Sequence, residues 1–354
     1  MIAAAWAPAV EAALTAPLTI VIGPGDAGKT TLVTALANAL FERGFSVGIV
    51  DADVGQSVLG PPTTVGLGRV ARPLQRPGDA ELIAMAFVGT TSPAANLTGT
   101  VVATGRMVAR ARAHGLERVL VDTGGLLAGD LGRALKQAKI DLLDPDLVVC
   151  LERHGECETV VRPYRAVSRP QVVRLAPSPA ARTRSAETRR RFREEALGRY
   201  FAASRRTIVD LRNVVLKRPA LFAGQPVNVE SLREISAAIG RDIIWGEHRD
   251  GDVAVLTATA LTTSDARELA RRLGAGSVVM YALDDVVGAL AGLDDAAGDT
   301  IGLGIVRAIA IDPPSLELET PVAPDAIAVV TIGRAKFSRS DGSHQRGPSG
   351  PPLT

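Results

Sequence analysis

Short apolar runs alternate with longer amphipathic stretches through the first half of the chain. Residues 18–22, LTIVI, are apolar almost without interruption, the pattern of a strand covered on both faces. Residues 29–43 place their apolar positions on one helical face. The same reading predicts strands over 45–50, 81–88, 118–122, 147–151 and 172–175, and helices over 97–113 and 131–139. Strands alternating with helices in this way predict βαβ units around a mainly parallel sheet. An arginine-dense stretch, 182–203, predicts one more helix. The character then changes. Residues 208–226 carry short apolar pieces broken by Pro and Gly, strands are predicted over 252–259, 277–281, 286–293, 300–312 and 326–337, and a helix near 264–273. The expected organisation is an α/β domain over 1–204, a smaller β-rich C-terminal domain over 205–337, and a polar, Pro/Gly-rich tail over 338–354 expected to be disordered.

Composition narrows this picture without redirecting it. At about 150 residues per domain, a chain of 354 residues suggests two domains, with one or three also compatible with the length. An apolar content of 46% excludes a chain disordered throughout. Two cysteines, Cys150 and Cys157, exclude a disulfide-built fold and an all-cysteine metal site. The four histidines are scattered, so no structural zinc is expected. No run of 18 apolar residues occurs, so no membrane partner is expected. The apolar N-terminal segment lacks a basic start and contains Pro8, Glu11 and Pro17, which argues against a signal peptide and for a cytoplasmic protein. The net charge is +2, and only five of the basic residues are lysines: Lys29, Lys136, Lys139, Lys217 and Lys336. Arginine in such excess is informative only where it clusters.

Residues 23–30 read GPGDAGKT, which is G-x-x-x-x-G-K-[ST] between a predicted strand and a predicted helix. A loop of this kind curls so that successive N–H groups point at one anion, and the helix N-terminus adds partial positive charge. Gly23, Gly25, Asp26, Ala27, Gly28, Lys29, Thr30 and Thr31 are therefore the candidate nucleotide-binding residues, with Lys29 directed at the β- and γ-phosphates and Thr30 at Mg²⁺. The fold class this predicts is α/β, a P-loop NTPase with a mainly parallel sheet, plus the β-rich C-terminal domain. ATP and Mg²⁺ are the expected cofactors.

Phosphoryl transfer needs a carboxylate near the metal and often a base for the attacking hydroxyl. In an open α/β sheet these sit at the carboxyl ends of strands. GIVDADVGQS supplies Asp51, Asp53 and Gln56, and VLVDTGGLLAG supplies Asp122, Thr123 and Gly125. Asp51 and Asp53 share a face if the segment is extended, although loop acids and helix caps give the same pattern. DTGG also fits the D-x-x-G element of GTPases, but no N-K-x-D guanine-reading motif accompanies it. The stretch RTRSAETRRRFR over 182–193 places Arg189 and Arg193 four residues apart, on one face. Such a helix is either a lid that neutralises a transferring phosphoryl group or a solvated face paired with Glu187, Glu194 and Glu195.

Taken in order, these segments resemble the polynucleotide 5′-hydroxyl kinase family, whose eukaryotic members act in pre-mRNA 3′-end processing, tRNA splicing and ribosomal RNA maturation. GPGDAGKTT is similar to the family phosphate loop. DADVGQS, followed by Pro61 and Pro62, resembles its acidic D-x-G-Q element. FVGTTSPAANL over 87–97 is similar to a segment containing G-x-T-[ST]-P, DTGGLLAG occupies the place of the T-x-G-W clasp, and RSAETRRRFREEALGRYF over 184–201 resembles the arginine lid. The resemblance implies transfer of the ATP γ-phosphate to a 5′-hydroxyl end of RNA or DNA. It implies that Asp53 activates the acceptor, that Gln56 helps place substrate or a metal-bound water, that Thr123 and Gly125 hold the phosphate loop in register, and that Arg184, Arg189 and Arg193 are the lid candidates; with the strand-end reading, Thr30, Asp51, Gln56 and Asp122 are the expected metal residues. Leu126 stands where the clasp has tryptophan, and Asp122 where the eukaryotic pattern has asparagine. Tyr164, Tyr200 and Phe201 are the aromatic residues placed to stack on bases or to fill the core. The rival reading is an ATP-binding scaffold of an RNA-processing complex that does no chemistry.

Overall fold

The computed structural model describes residues 4–178 and 184–338. The chain divides into two compact units, Met1–Leu197 and Gly198–Thr354. The division falls inside the arginine-rich helix, not after it.

The first unit opens with a helix the sequence reading left out, α1 (Ala7–Thr15). Then follow β1 (Leu18–Ile22), α2 (Lys29–Phe41), β2 (Val47–Ala52), β3 (Thr64–Arg69), β4 (Glu81–Phe87), α3 (Leu97–Ala113), β5 (Arg118–Thr123), α4 (Gly129–Leu143), β6 (Leu147–Leu151), the short α5 (Glu158–Val161), β7 (Gln171–Leu175) and α6 (Ala186–Tyr200). Seven strands form one sheet in the order β4-β3-β2-β5-β1-β6-β7. The β2, β5, β1, β6 and β7 strands run parallel, and β3 and β4 add antiparallel pairs at one edge. β3 was not predicted because Gly66 and Gly68 interrupt its apolar run.

Both faces of this sheet are covered. Ile20, Val50, Val121 and Val148 point into one apolar cluster, with Ala103, Met107 and Ala111 of α3 and Ile140 and Leu143 of α4. Their neighbours Val21, Ile49, Leu120 and Val149 point into the other, with Ala9 and Ala13 of α1 and Leu32, Leu36 and Leu40 of α2. A strand buried on both faces has no polar face, which is why 18–22 reads as continuous rather than alternating apolar sequence. The predicted helix 97–113 is capped by Asn96, whose side chain accepts from the Gly99 N–H at 2.9 Å.

The second unit contains β8 (Arg205–Asp210), β9 (Val215–Arg218), β10 (Gln225–Pro226), α7 (Val229–Ile239), β11 (Ile243–Arg249), β12 (Asp252–Thr257), α8 (Thr263–Leu273), β13 (Val278–Ala282), α9 (Leu283–Val286), β14 (Ala289–Asp294), β15 (Thr300–Ile311), β16 (Pro314–Thr320) and β17 (Val329–Lys336). Six strands form a sheet in the order β8-β16-β15-β14-β17-β9, and four form another, β10-β11-β12-β13. α8 begins with a capping box in which Thr262 and Asp265 satisfy each other's backbone N–H groups. β11, β16 and α7 went unpredicted. Their apolar positions are mixed with charged residues such as Glu247, Glu317 and Glu319, two of which are buried here on arginine partners: Arg249 on Glu247 and Arg307 on Glu319. Arg182 and residues 339–354 lie outside the described residues.

Candidate active site

The carboxyl ends of β1, β2 and β5 lie side by side. Asp51 pairs in register with Asp122, and Asp122 with Val21. The phosphate loop follows β1, the Asp53 turn follows β2, and the Thr123–Gly125 segment follows β5, so three loops far apart in sequence converge on one edge of the sheet.

The loop folds as the motif requires. Gly28 precedes α2 with φ of 91°, a conformation a β-carbon disfavours. Lys29 is buried at 7% exposure, and its Nζ donates to the Pro24 carbonyl of its own loop at 2.7 Å. Burial pulls the Lys29 ammonium below its ordinary value, against the pull of Asp122 and Asp53. The Thr30 hydroxyl donates to Asp122 Oδ2 at 2.6 Å. The other oxygen of Asp122 is buried and receives no hydrogen bond from the described residues. Burial raises the Asp122 carboxyl to about 6, with the Thr30 hydroxyl and Lys29 opposing.

The two strand-end aspartates of the β2 segment do different things. β2 ends at Ala52, so the alternation that would put Asp51 and Asp53 on one face stops between them. Asp51 is 1% exposed. Its Oδ2 accepts from the N–H groups of Val58 (2.6 Å) and Leu59 (3.0 Å) and from the Ser57 hydroxyl, and its Oδ1 accepts from the Asp53 N–H at 3.1 Å. Both oxygens of Asp51, expected beside the metal, accept hydrogen bonds that build the 53–59 loop. Burial and the neighbouring Asp122 push its carboxyl up to about 7. Asp53 is half-buried. Its Oδ1 accepts from the N–H groups of Gly55 and Gln56, both at 3.1 Å, which locks the turn that carries it. A β-carbon on Gly124 would lie 3.3 Å from the Asp53 carboxylate.

The clasp segment approaches both that carboxylate, at Gly124, and the phosphate loop, at Gly125. Thr123 Oγ1 donates to Val21 O at 2.8 Å, tying β5 to the strand that feeds the loop. Gly125 packs on Gly25 so closely that a β-carbon would come within 2.5 Å of the Gly25 Cα. Leu126 is half-buried. Gln56 Nε2 donates to Gly55 O (2.7 Å) and Arg189 O (3.1 Å), while its Oε1 is buried without a partner among the described residues.

The arginine helix meets the loop through Asp26, which holds φ of 58°. Asp26 Oδ2 accepts from Arg189 Nη2 at 2.5 Å and from the backbone N–H of Arg184 at 2.9 Å. Burial works to raise the Asp26 carboxyl, but these donors hold it below its ordinary value. Arg184 thus reaches the loop with its backbone while its side chain is exposed. Arg193, one turn beyond Arg189, is half-buried. Arg190 and Arg191 pair instead with Glu194 and Glu195 along the helix, as a solvated face would.

Two site residues were missed. Lys136 and Lys139 on α4 are 0% and 1% exposed. Lys136 Nζ donates to Thr123 Oγ1 (2.8 Å) and Gly124 O (2.6 Å), and Lys139 Nζ to Ala52 O (3.5 Å). Burial lowers the Lys136 ammonium well below its ordinary value and Lys139 to about 8. The signal was present: both occupy the inward stripe Gly132, Leu135, Lys136, Lys139, Ile140, Leu143 of an amphipathic helix, where a lysine is out of place. The three aromatic candidates turn inward or bind locally. Phe201 is fully buried between Tyr200 and Phe337, Tyr200 Oη accepts from the Leu303 N–H, and Tyr164 Oη donates to Asp141. Glu156 accepts from the N–H groups of Arg153 and His154, a loop cap, and no group of three or more metal-ligating His, Cys, Asp or Glu occurs among the described residues. No described helix is long and apolar enough to cross a membrane.

The family described as mRNA cleavage and polyadenylation factor CLP1 P-loop matches residues 23–203. The polyribonucleotide 5′-hydroxyl-kinase of Pyrococcus furiosus is 30% identical over 91% of this chain and 88% of its own length. That of Thermococcus kodakarensis is 32% identical over 91% and 89%. Among solved structures, Clp1p in complex with Pcf11p shares the fold with a TM-score of 0.57 over 91% of this chain and 74% of that one, at 12% identity.

Proposed function

The chain belongs to the CLP1 P-loop family, and from that premise we propose that it is a polynucleotide 5′-hydroxyl kinase that moves the γ-phosphate of ATP to the 5′-oxygen of an RNA end. The observation that carries the chemistry is the placing of Asp53 against Gly124, one residue from the Gly125 that packs on the phosphate loop and within electrostatic reach of Lys29 in that loop. The similarity to archaeal polyribonucleotide 5′-hydroxyl-kinases over 91% of this chain supplies the acceptor class.

The residues present fit a magnesium nucleotide. Asp122 turns one buried oxygen, unpartnered among the described residues, beside the Thr30 hydroxyl, the donor set of a hydrated hard cation. Thr30 and Asp122 would hold Mg²⁺, with Gln56 Oε1 as a further oxygen; Lys29 and the N–H groups at the start of α2 would hold the phosphates. The bound nucleotide supplies the phosphoryl group and a leaving ADP. Asp53 accepts the proton of the attacking 5′-hydroxyl as the new P–O bond forms. Arg189, held over the loop by Asp26, neutralises charge on the transferring group. Arg193 lies on the same helical face and extends that role.

The test is to incubate the protein with ATP, Mg²⁺ and a 5′-hydroxyl oligoribonucleotide and to assay 5′-phosphate. Product is expected with wild type and none with Lys29→Ala. Nucleotide bound tightly with no transfer to RNA or DNA ends would make the protein an ATP-binding scaffold instead.

A further inference from the structure

α4 carries two lysines into the interior, and an ammonium is costly to bury unless something in the fold uses it. Their hydrogen bonds go to neutral oxygens, and those oxygens are not scattered. Ala52 O, which receives Lys139, belongs to the residue immediately before Asp53. Gly124 O and Thr123 Oγ1, which receive Lys136, belong to the clasp segment, and Gly124 is the residue that abuts the Asp53 carboxylate. Thr123 in turn donates to Val21 on the strand that enters the phosphate loop. One helix face therefore donates to both sides of the proposed base, closely through Lys136 (2.8 and 2.6 Å) and at longer range through Lys139 (3.5 Å). Asp53 is fixed within its own turn by the Gly55 and Gln56 N–H groups, but those bonds move with the turn and cannot set its position against the loop. The β2–β5 ladder pairs Ala52 with Thr123, and the α4 lysines add donors to that last pair and to Gly124 beyond it.

We propose that Lys136 and Lys139 are positioning residues for phosphoryl transfer, holding the Ala52–Asp53 turn and the Thr123–Gly124 clasp in one register so that Asp53 faces the phosphate loop. This rests on the kinase reading above. Two buried methionines or leucines would fill the same volume and satisfy the packing of α4. What they would not do is donate to three oxygens at the ends of β2 and β5.

The test uses full-length Lys136→Met and Lys139→Met, with Lys139→Gln as a variant that keeps a donor, and Asp53→Asn as the reference. Four quantities are read: kcat at saturating ATP and RNA, the KM values, the Kd for a non-hydrolysable ATP analogue, and amide hydrogen exchange. A misplacement of the base by about 1 Å costs about 100-fold in rate. Each methionine variant is expected to lose about that much in kcat, with analogue Kd within about threefold of wild type, and Lys139→Gln to recover part of the loss. Exchange is expected to quicken at residues 52–57 in Lys139→Met and at 122–126 in Lys136→Met, and nowhere else. Should a methionine variant not fold, the glutamine substitution at the same position is read by the same four quantities. Unchanged kcat in folded methionine variants, a loss of analogue binding that matches the loss of kcat, or exchange that quickens across the whole unit would each overturn the proposal. If Asp53→Asn itself keeps full activity, the kinase assignment of Asp53 fails. If Asp53→Asn is inactive while the lysine variants are active, the fault lies in this inference alone. The exchange measurement stands even if no transfer is detected: unchanged exchange at both segments overturns the positioning role.

Discussion

At the scale of single residues, Asp51 and Asp53 show how two identical side chains two positions apart acquire opposite surroundings. Asp51 is buried in β2 and carries hydrogen bonds from Val58, Leu59, Ser57 and Asp53; Asp53 lies past the strand end, against Gly124. The raised Asp51 carboxyl has a stability consequence. Between its unfolded value near 4 and its folded value of about 7, the folded state keeps a proton that the unfolded state has released. Its contribution to stability is thus complete in acid and is lost as pH rises through about 7. Asp51→Asn removes that slope, so the gap in urea midpoint between wild type and variant is expected to be widest at about pH 4 and below and to narrow until about pH 7. A gap that widens with pH would show that the four hydrogen bonds hold the ion instead. The places of Lys29 and Thr30 at the loop and helix start were legible in the sequence because a contiguous motif fixes them. The split between Asp51 and Asp53 could not, because it depends on where β2 stops, and that boundary is set by the register with β5.

Elements decide how the loops meet. The continuous apolar runs of the parallel strands were legible, because burial on both faces writes itself into the sequence. The strands diluted by glycine or glutamate were not, because their burial depends on a crossing loop or an arginine partner that sequence periodicity cannot show. The buried lysines of α4 were readable in principle, as charges in an apolar stripe. Gly125 on Gly25 is the contact between clasp and phosphate loop. Gly125→Ala forces a β-carbon into that 2.5 Å gap, so nucleotide affinity, read by titration of a fluorescent ATP analogue, is expected to fall at least about tenfold. The arginine helix gives a second prediction. Arg189 contacts the loop through Asp26, whereas Arg191 pairs with Glu195 on the exposed face. Arg189→Ala is expected to lower kcat by about 100-fold and Arg191→Ala to leave it within about twofold, measured in the same assay. Equal effects of the two would remove Arg189 from its proposed role.

For the whole molecule, the α/β unit and the β-rich unit have separate apolar cores. Leu318 is fully buried in the six-stranded sheet of the second, and Leu318→Ala is expected to cost about 2–5 kcal/mol of that unit's stability in denaturant unfolding. The central claim concerns the first unit: a phosphate loop, a hydroxyl–carboxylate pair and one facing aspartate form a site that passes phosphate to a 5′-hydroxyl. Single-turnover transfer from pre-bound ATP to a 5′-hydroxyl oligoribonucleotide, compared between wild type and Asp53→Asn, tests it most directly. The account predicts that both proteins bind ATP with Kd values within about threefold of each other and that transfer by the variant is slower by about 100-fold or more. Transfer by Asp53→Asn at the wild-type rate would contradict it.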